Sequence, residues 1–186
     1  GSYRRDFEVP AEWKDRRIFL TFDGVDSAFF LWINGQKVGF STNSRNAAEF
    51  DVTQYVKPGR NMVAVEVYRY SAGSYLEDQD MWRLSGIYRN VTLWSAPQVH
   101  IRDFFIKTDL DAQYRDATFS LAVTLENKTA QPAAVTVEGA LLDPLGKAVA
   151  QPRIQMRVAP DGSGGQAEIT QSIPNPLKWT AETPNL

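Results

Sequence analysis

Three carboxylates, Glu77, Asp78 and Asp80, lie within four residues of one another, and an aromatic and a base, Trp82 and Arg83, follow directly. Charges of one sign this close repel, so a cation, the neighbouring arginine or bulk water has to compensate them. One of Glu77 and Asp78 is expected to pair with Arg83, since an arginine drawn out of water needs a partner, and the other to face solvent. A carboxylate is a hard oxygen donor suited to a hard cation, and it also accepts hydrogen bonds from sugar hydroxyls. Rings supply the rest of a sugar site by stacking on C–H faces, and the chain has five Trp, seven Tyr and ten Phe. Most of these rings are expected in cores, where side chains of this size dominate.

Other chemistries are closed off by composition. There is no cysteine, which removes disulfides, thiolate nucleophiles and cysteine-ligated metals. The single histidine, His100, leaves no multi-histidine metal site, and it reads as a surface or interface residue. Net charge is -2, without the basic excess expected of a nucleic-acid partner. No apolar run approaches the roughly 20 residues that span a bilayer, so no membrane partner is expected. The sequence leaves the compartment open between cytoplasm and periplasm. Asn90-Val91-Thr92 and Asn127-Lys128-Thr129 match the glycosylation sequon, a pattern frequent by chance. Residues 41–46, STNSRN, read as a solvated polar turn.

The elements that must position the acidic run are strands. Residues 19–25, 28–33, 37–40 and 62–68 are apolar or alternate with a period of two, and residues 87–94 alternate similarly. Asn34-Gly35 between two such runs is a strong hairpin signal, because both turn positions require positive φ. Residues 71–86 form a long loop inside this first module, and a loop of that length is usually functional. Ser95-Ala96-Pro97 reads as a linker. Five further runs, 99–108, 118–125, 134–142, 153–158 and 167–173, are separated by turn residues, among them Asp161-Gly162-Ser163-Gly164-Gly165. Their spacing suggests an immunoglobulin-like sandwich. No segment has sustained helical periodicity. The expected organisation is all-β with two sandwiches, residues 1–96 and 97–186.

The loop SYLEDQDMWRLSGIYRNV resembles the segment that β-galactosidases of glycoside hydrolase family 2 carry in their sugar-binding domain. GSYRRDFEVP, the ING hairpin, the FDVT…PG.N turn and the closing NPLKWTAETPNL are similar to the same family, so the resemblance covers the whole chain. It implies a jelly-roll-like, galactose-binding-type sandwich lacking its first strands, then an immunoglobulin-like sandwich lacking its last. It also implies a parent hydrolase acting with retention on terminal β-D-galactosides, whose catalytic glutamates lie on a (β/α)8 barrel, so no catalytic residue is expected here. Asp80 matches the family's carboxylate that ligates sodium beside the galactose 6-hydroxyl. Trp82 is then expected to anchor the loop against the barrel, with Glu77, Asp78 and Arg83 as support. Sodium is implied as cofactor, magnesium only through the barrel, and a homo-oligomer as the assembled state. The alternatives are a stand-alone carbohydrate-binding module or a fragment of a family 2 β-glucuronidase or β-mannosidase.

Overall fold

A strand with unlike faces buries every second side chain, and this constraint sets the elements of the chain. The computed structural model describes residues 1–160 and 164–185, an all-β chain in two units, Gly1–Pro97 and Gln98–Leu186. The turn expected at 161–163 lies outside the described residues.

The first unit contains β1 (Ser2–Val9), β2 (Arg17–Phe22), β3 (Val25–Asp26), β4 (Ala28–Ile33), β5 (Gln36–Ser41), β6 (Ala48–Asp51) and β7 (Gly59–Tyr68). A short helix α1 (Ala72–Leu76), β8 (Gly86–Ile87) and β9 (Val91–Ala96) complete it. One sheet has the order β1-β7-β4-β5, a second the order β6-β2-β9, and β3 pairs with β8. Leu20 and Phe22 from β2, Phe29, Leu31 and Ile33 from β4, and Val65 and Val67 from β7 form one core, each at most 5% exposed. Burying a side chain of this size stabilises by about 1.5–3 kcal/mol.

Asn34 and Gly35 take φ of 50° and 82° and close the β4–β5 hairpin. Asn34 donates to the Asn61 Oδ1 at 2.8 Å. The buried Asn61 also accepts from the Lys57 N–H and donates to the carbonyls of Lys57 and Gly59. One amide thus ties the hairpin to the Pro58-Gly59 turn.

Three expectations about strands fail in this unit. Residues 19–25 and 87–94 are not single strands, since β2 stops at Phe22, β8 stops at Ile87, and β3 and β8 form their own ribbon. Just past β8 the Tyr88 N–H bonds the Gly24 carbonyl at 3.3 Å, and its ring lies so close to Gly24 that a Cβ there would come within 2.7 Å of it. Ser95 and Ala96 are not linker. They end β9, paired with Ile18 and Arg17, and Arg16 donates to the Ser95 hydroxyl at 2.8 Å. The helix α1 was not legible as a periodicity, being only 5 residues long.

The second unit contains β10 (Val99–Leu110), β11 (Ala117–Asn127), β12 (Ala133–Glu138), β13 (Leu141–Leu142), β14 (Ala148–Ala150), β15 (Arg153–Val158) and β16 (Gly165–Ile173). The sheet β10-β11-β16 is accompanied by the pairs β12-β15 and β13-β14. The expected strand 134–142 divides at Gly139, whose N–H turns to the Pro152 carbonyl at 2.9 Å, and β12 and β13 take different partners. Phe119, Leu121, Val123 and Leu125 of β11 are 9% exposed or less. The register sets Ile101, Phe104 and Ile106 of β10 directly beside Leu125, Val123 and Leu121. Those three are nevertheless 50–63% exposed, so the core covers β11 and leaves β10 bare.

Asn127 is fully buried. Its amide donates to the carbonyls of Gln131 and Val158 and accepts from the N–H and hydroxyl of Thr129. In the folded chain this sequon is a structural turn and not a glycan acceptor. Of the expected surface or interface placement of His100, the open surface does not hold: its side chain is 7% exposed, with Nε2 3.5 Å from a Glu126 carboxylate oxygen. Burial raises the Glu126 pKa, but the hydrogen bond and charge of Lys128, with His100 and Arg102 adding, outweigh it and leave the carboxyl below its ordinary value.

Asn127→Ala is expected to destabilise the chain by about 1–3 kcal/mol, because the buried Val158 carbonyl, the Gln131 carbonyl and the Thr129 N–H lose their partner; urea unfolding reads the change. Glu126 has a depressed folded-state pKa, so its contribution is present above the unfolded value and is lost as pH falls through the folded one. The wild type should therefore lose more stability between about pH 5 and pH 3 than Glu126→Gln does. Parallel acid limbs in the two proteins would contradict this.

Candidate functional site

The acidic loop leaves the end of β7 and is fastened at once. Ser74, in the first turn of α1, receives the Ser71 N–H at 3.0 Å and donates to the Arg69 carbonyl at 3.1 Å. Its hydroxyl lies 3.0 Å from that of Ser27, which lies 2.8 Å from that of Ser71. Ser27 is 1% exposed and joins β3 to β4, so three hydroxyls pin the helix to the sandwich. A buried hydroxyl without such partners would cost free energy, and this makes the fastening specific.

The centre of the loop is held by the polar turn opposite. The Ser44 N–H donates to the Glu77 carboxylate at 3.1 Å, and the Ser44 carbonyl accepts from the Tyr88 hydroxyl. Arg45 donates to the Trp82 carbonyl at 2.7 Å while its guanidinium stands 5.7 Å from the Tyr88 ring centroid. Residues 41–46 are a turn whose Thr42, Asn43 and Asn46 face solvent, as expected, while Ser44, only 3% exposed, and Arg45 serve as a platform for the loop. Asp78 pairs with Arg83, and Glu77, the other acid of the pair, holds Ser44 and does not simply face water. At the exit Gly86 takes φ of 77° and pairs with Asp26. A Cβ on Gly86 would meet the Tyr3 hydroxyl at 2.3 Å, so glycine is required there on both counts.

These fastenings frame an open cleft of about 180 Å³, lined by Asp26, Arg45, Arg69, Glu77, Asp78 and Arg83 among others. Three acids and three arginines share the lining, a balance that suits a polar, neutral ligand better than a strongly charged one. Asp80 is not in the cleft wall. It is exposed on the span between the Asp78–Arg83 pair and the Arg45–Trp82 bond, and no hydrogen bond or ion pair engages it among the described residues. Trp82 is 88% exposed, with its backbone held and its ring in solvent.

Of the five residues singled out from sequence, the fold gathers Glu77, Asp78 and Arg83 at the cleft and leaves Asp80 and Trp82 projecting. Ser44, Arg45, Arg69 and Tyr88 were missed. Their signal lay in the polar run 41–46 and in the break at Tyr88 after β8. Among the described residues no three His, Cys, Asp or Glu side chains lie close enough to hold a metal ion. Asp80 fits sodium in donor type, as one hard oxygen ligand.

Glu77→Ala removes the acceptor for Ser44 and should speed protease cleavage within 78–85 several-fold, while the global unfolding free energy falls by no more than about 1–2 kcal/mol. Glu77→Gln keeps an acceptor oxygen and should restore protection; limited proteolysis followed by mass mapping measures both.

Comparison with known proteins adds the family. The model of the glycosyl hydrolases family 2 sugar-binding domain matches residues 1–97, and the glycosyl hydrolases family 2 model matches residues 99–186. A β-galactosidase of Priestia megaterium is 43% identical over 187 residues, and one of Vibrio vulnificus is 48% identical over 191. Both alignments cover all of this chain but 18% of the relative, so the chain spans under a fifth of these curated relatives. A Bacteroides uniformis β-glucuronidase 2 structure superposes with a TM-score of 0.89 at 24% identity, covering 99% of this chain and 23% of its own. A putative β-galactosidase structure from Bacteroides fragilis gives 0.85 at 23%, covering 98% and 28%. At that identity the structures speak for the fold, and the two family models carry the assignment: the chain belongs to glycoside hydrolase family 2.

Proposed function

We propose that the chain is the non-catalytic sandwich portion of a retaining β-galactosidase and that it lends the acidic loop to an active site built elsewhere in the longer protein. The observation that carries this is the state of Asp80. It is an exposed carboxylate without a partner among the described residues, on a loop whose two ends and middle are tied down. A side chain left bare on a braced loop is available for an external ligand, and bracing lowers the entropy lost when that ligand is bound. Relatives 39–48% identical over the whole chain are β-galactosidases, which favours galactosides over glucuronides and mannosides.

Retaining hydrolysis uses two carboxyl groups about 5 Å apart across the glycosidic bond. In this reading both belong to a (β/α)8 barrel of the longer protein, which is also where any magnesium binds. Asp80 contributes one oxygen ligand to a sodium ion, which when bound would polarise and orient the galactose 6-hydroxyl. Glu77, Asp78 and Arg83 hold the loop, and the Trp82 ring packs against the barrel. The bare inner face of β10 supports further strands of the longer protein closing the second sandwich, since three apolar side chains there stand outside any core. Assembly into a homo-oligomer belongs to the same proposal.

Asp80→Ala in the longer protein should lower kcat/KM for nitrophenyl β-galactoside at least tenfold, about 1.4 kcal/mol, and should abolish its response to sodium. Unchanged kcat/KM together with unchanged sodium response would sink the assigned role. A panel of nitrophenyl glycosides decides the activity itself: the galactoside should be turned over fastest, and a faster glucuronide or mannoside would replace this reading.

A further inference from the structure

The sheet β1-β7-β4-β5 has an outer face that neither the core nor the acidic loop uses. Its register puts Phe30 beside Phe40 of β5 and Glu66 of β7, and Trp32 beside Lys37 and Ala64. The Phe30 ring centroid lies 4.8 Å from that of Phe40, 6.0 Å from Trp32 and 6.1 Å from Tyr68. Phe40 is 51% and Tyr68 44% exposed. None of the four rings belongs to the core cluster of this unit. Polar groups are set among them. Lys37 Nζ stands 4.3 Å over the Phe30 ring, and the Tyr68 hydroxyl is bonded to the Glu66 carboxylate, which holds the phenol above its ordinary pKa.

We propose that this outer face of β4, β5 and β7 is a binding surface for a neutral oligosaccharide, with sugar C–H faces on Phe30, Trp32, Phe40 and Tyr68 and hydroxyls on Glu66 and Lys37. Exposed rings on a flat sheet gain free energy by being covered, and what covers them is set by the groups between them. The centres of protein–protein interfaces are depleted in Lys and Glu, whereas here one of each stands in the middle of the rings. Their charges are opposite, so the β4, β5 and β7 residues around the rings carry no net charge, and Arg4 of β1, beside Ala64, adds a hydrogen-bond donor at the edge. A sugar alternates apolar faces with hydroxyls at the spacing of adjacent side chains, and it satisfies rings, ammonium and carboxylate together.

Position strengthens the case. Phe40 leads through Ser41 into the turn that carries Ser44 and Arg45, and Tyr68 is followed directly by Arg69 and Tyr70, both lining the cleft. Phe40 and Tyr68 therefore sit toward the end of the sheet that carries the acidic loop, and Phe30 and Trp32 continue the row of rings back toward the Asn34-Gly35 hairpin. A saccharide of several units with its terminal sugar at the loop would continue onto this face. The inference rests on the galactoside reading and sharpens it: the substrate class is an extended galactoside.

The test is native affinity electrophoresis of the full chain in gels containing soluble β-1,4-galactan. The wild type should be retarded, Phe40→Ala should bind at least tenfold more weakly with an unchanged circular dichroism spectrum, and Phe40→Trp should bind normally. Asp80→Ala should still be retarded. No retardation of the wild type, or equal retardation of Phe40→Ala, overturns the proposal. Loss of self-association in Phe40→Ala without a change in galactan affinity assigns the face to protein contact and also overturns it. Galactan binding that depends on Phe40 in a longer protein inactive on galactosides would refute the β-galactosidase reading alone. Activity without such binding would refute only the aromatic binding face.

Discussion

An irregular segment has no ladder of its own, so every backbone and side-chain polar group it brings near the sandwich needs a partner there. Ser27 and Ser44 meet that need. Both are almost fully buried, one at the joint between β3 and β4 and the other in the turn after β5. The hydroxyl of Ser27 takes the start of α1, while the N–H of Ser44 takes Glu77 and its carbonyl takes Tyr88. The acidic loop, the cleft beneath it and the projection of Asp80 all follow from where those two serines stand.

The same economy appears in the turns. Asn61 in the first unit and Asn127 in the second are buried amides, each with several hydrogen bonds to a turn. An amide can satisfy donors and acceptors in one place, which lets a turn close without exposing its backbone. Asn61 also reaches Asn34 in the β4–β5 hairpin, and so couples the rim of the aromatic outer face to the turn preceding β7.

Charge placement separates holding from contact. Asp78 is spent on Arg83 and Glu77 on the Ser44 N–H, whereas Asp80 is spent on nothing among the described residues. An exposed pair such as Asp78–Arg83 adds little stability by itself. Its effect is geometric, because closing a loop of five residues fixes the direction of the span that carries Asp80. Trp82 shows the same division within one residue, with its carbonyl held by Arg45 and its ring free in solvent.

The sequence by itself determined the all-β class, the Asn34-Gly35 hairpin, the presence of an acidic loop and the poverty of other chemistry, because period-two alternation, turn residues and composition are local properties. The motif around residues 77–83 carried the family as well. Only the tertiary structure decided that residues 87–94 divide between β8 and β9, because their partners, Val25 and the β2 residues Arg17–Phe22, lie more than 60 residues earlier. It alone made Ser44 and Arg45 of STNSRN the platform of the loop, set the His100 side chain against Glu126, and drew the turn after β11 inside through Asn127. It also separated Phe30, Trp32, Phe40 and Tyr68 from the core rings. A sequence records that a ring is present, but which side of a sheet it occupies depends on register with strands far away in the chain.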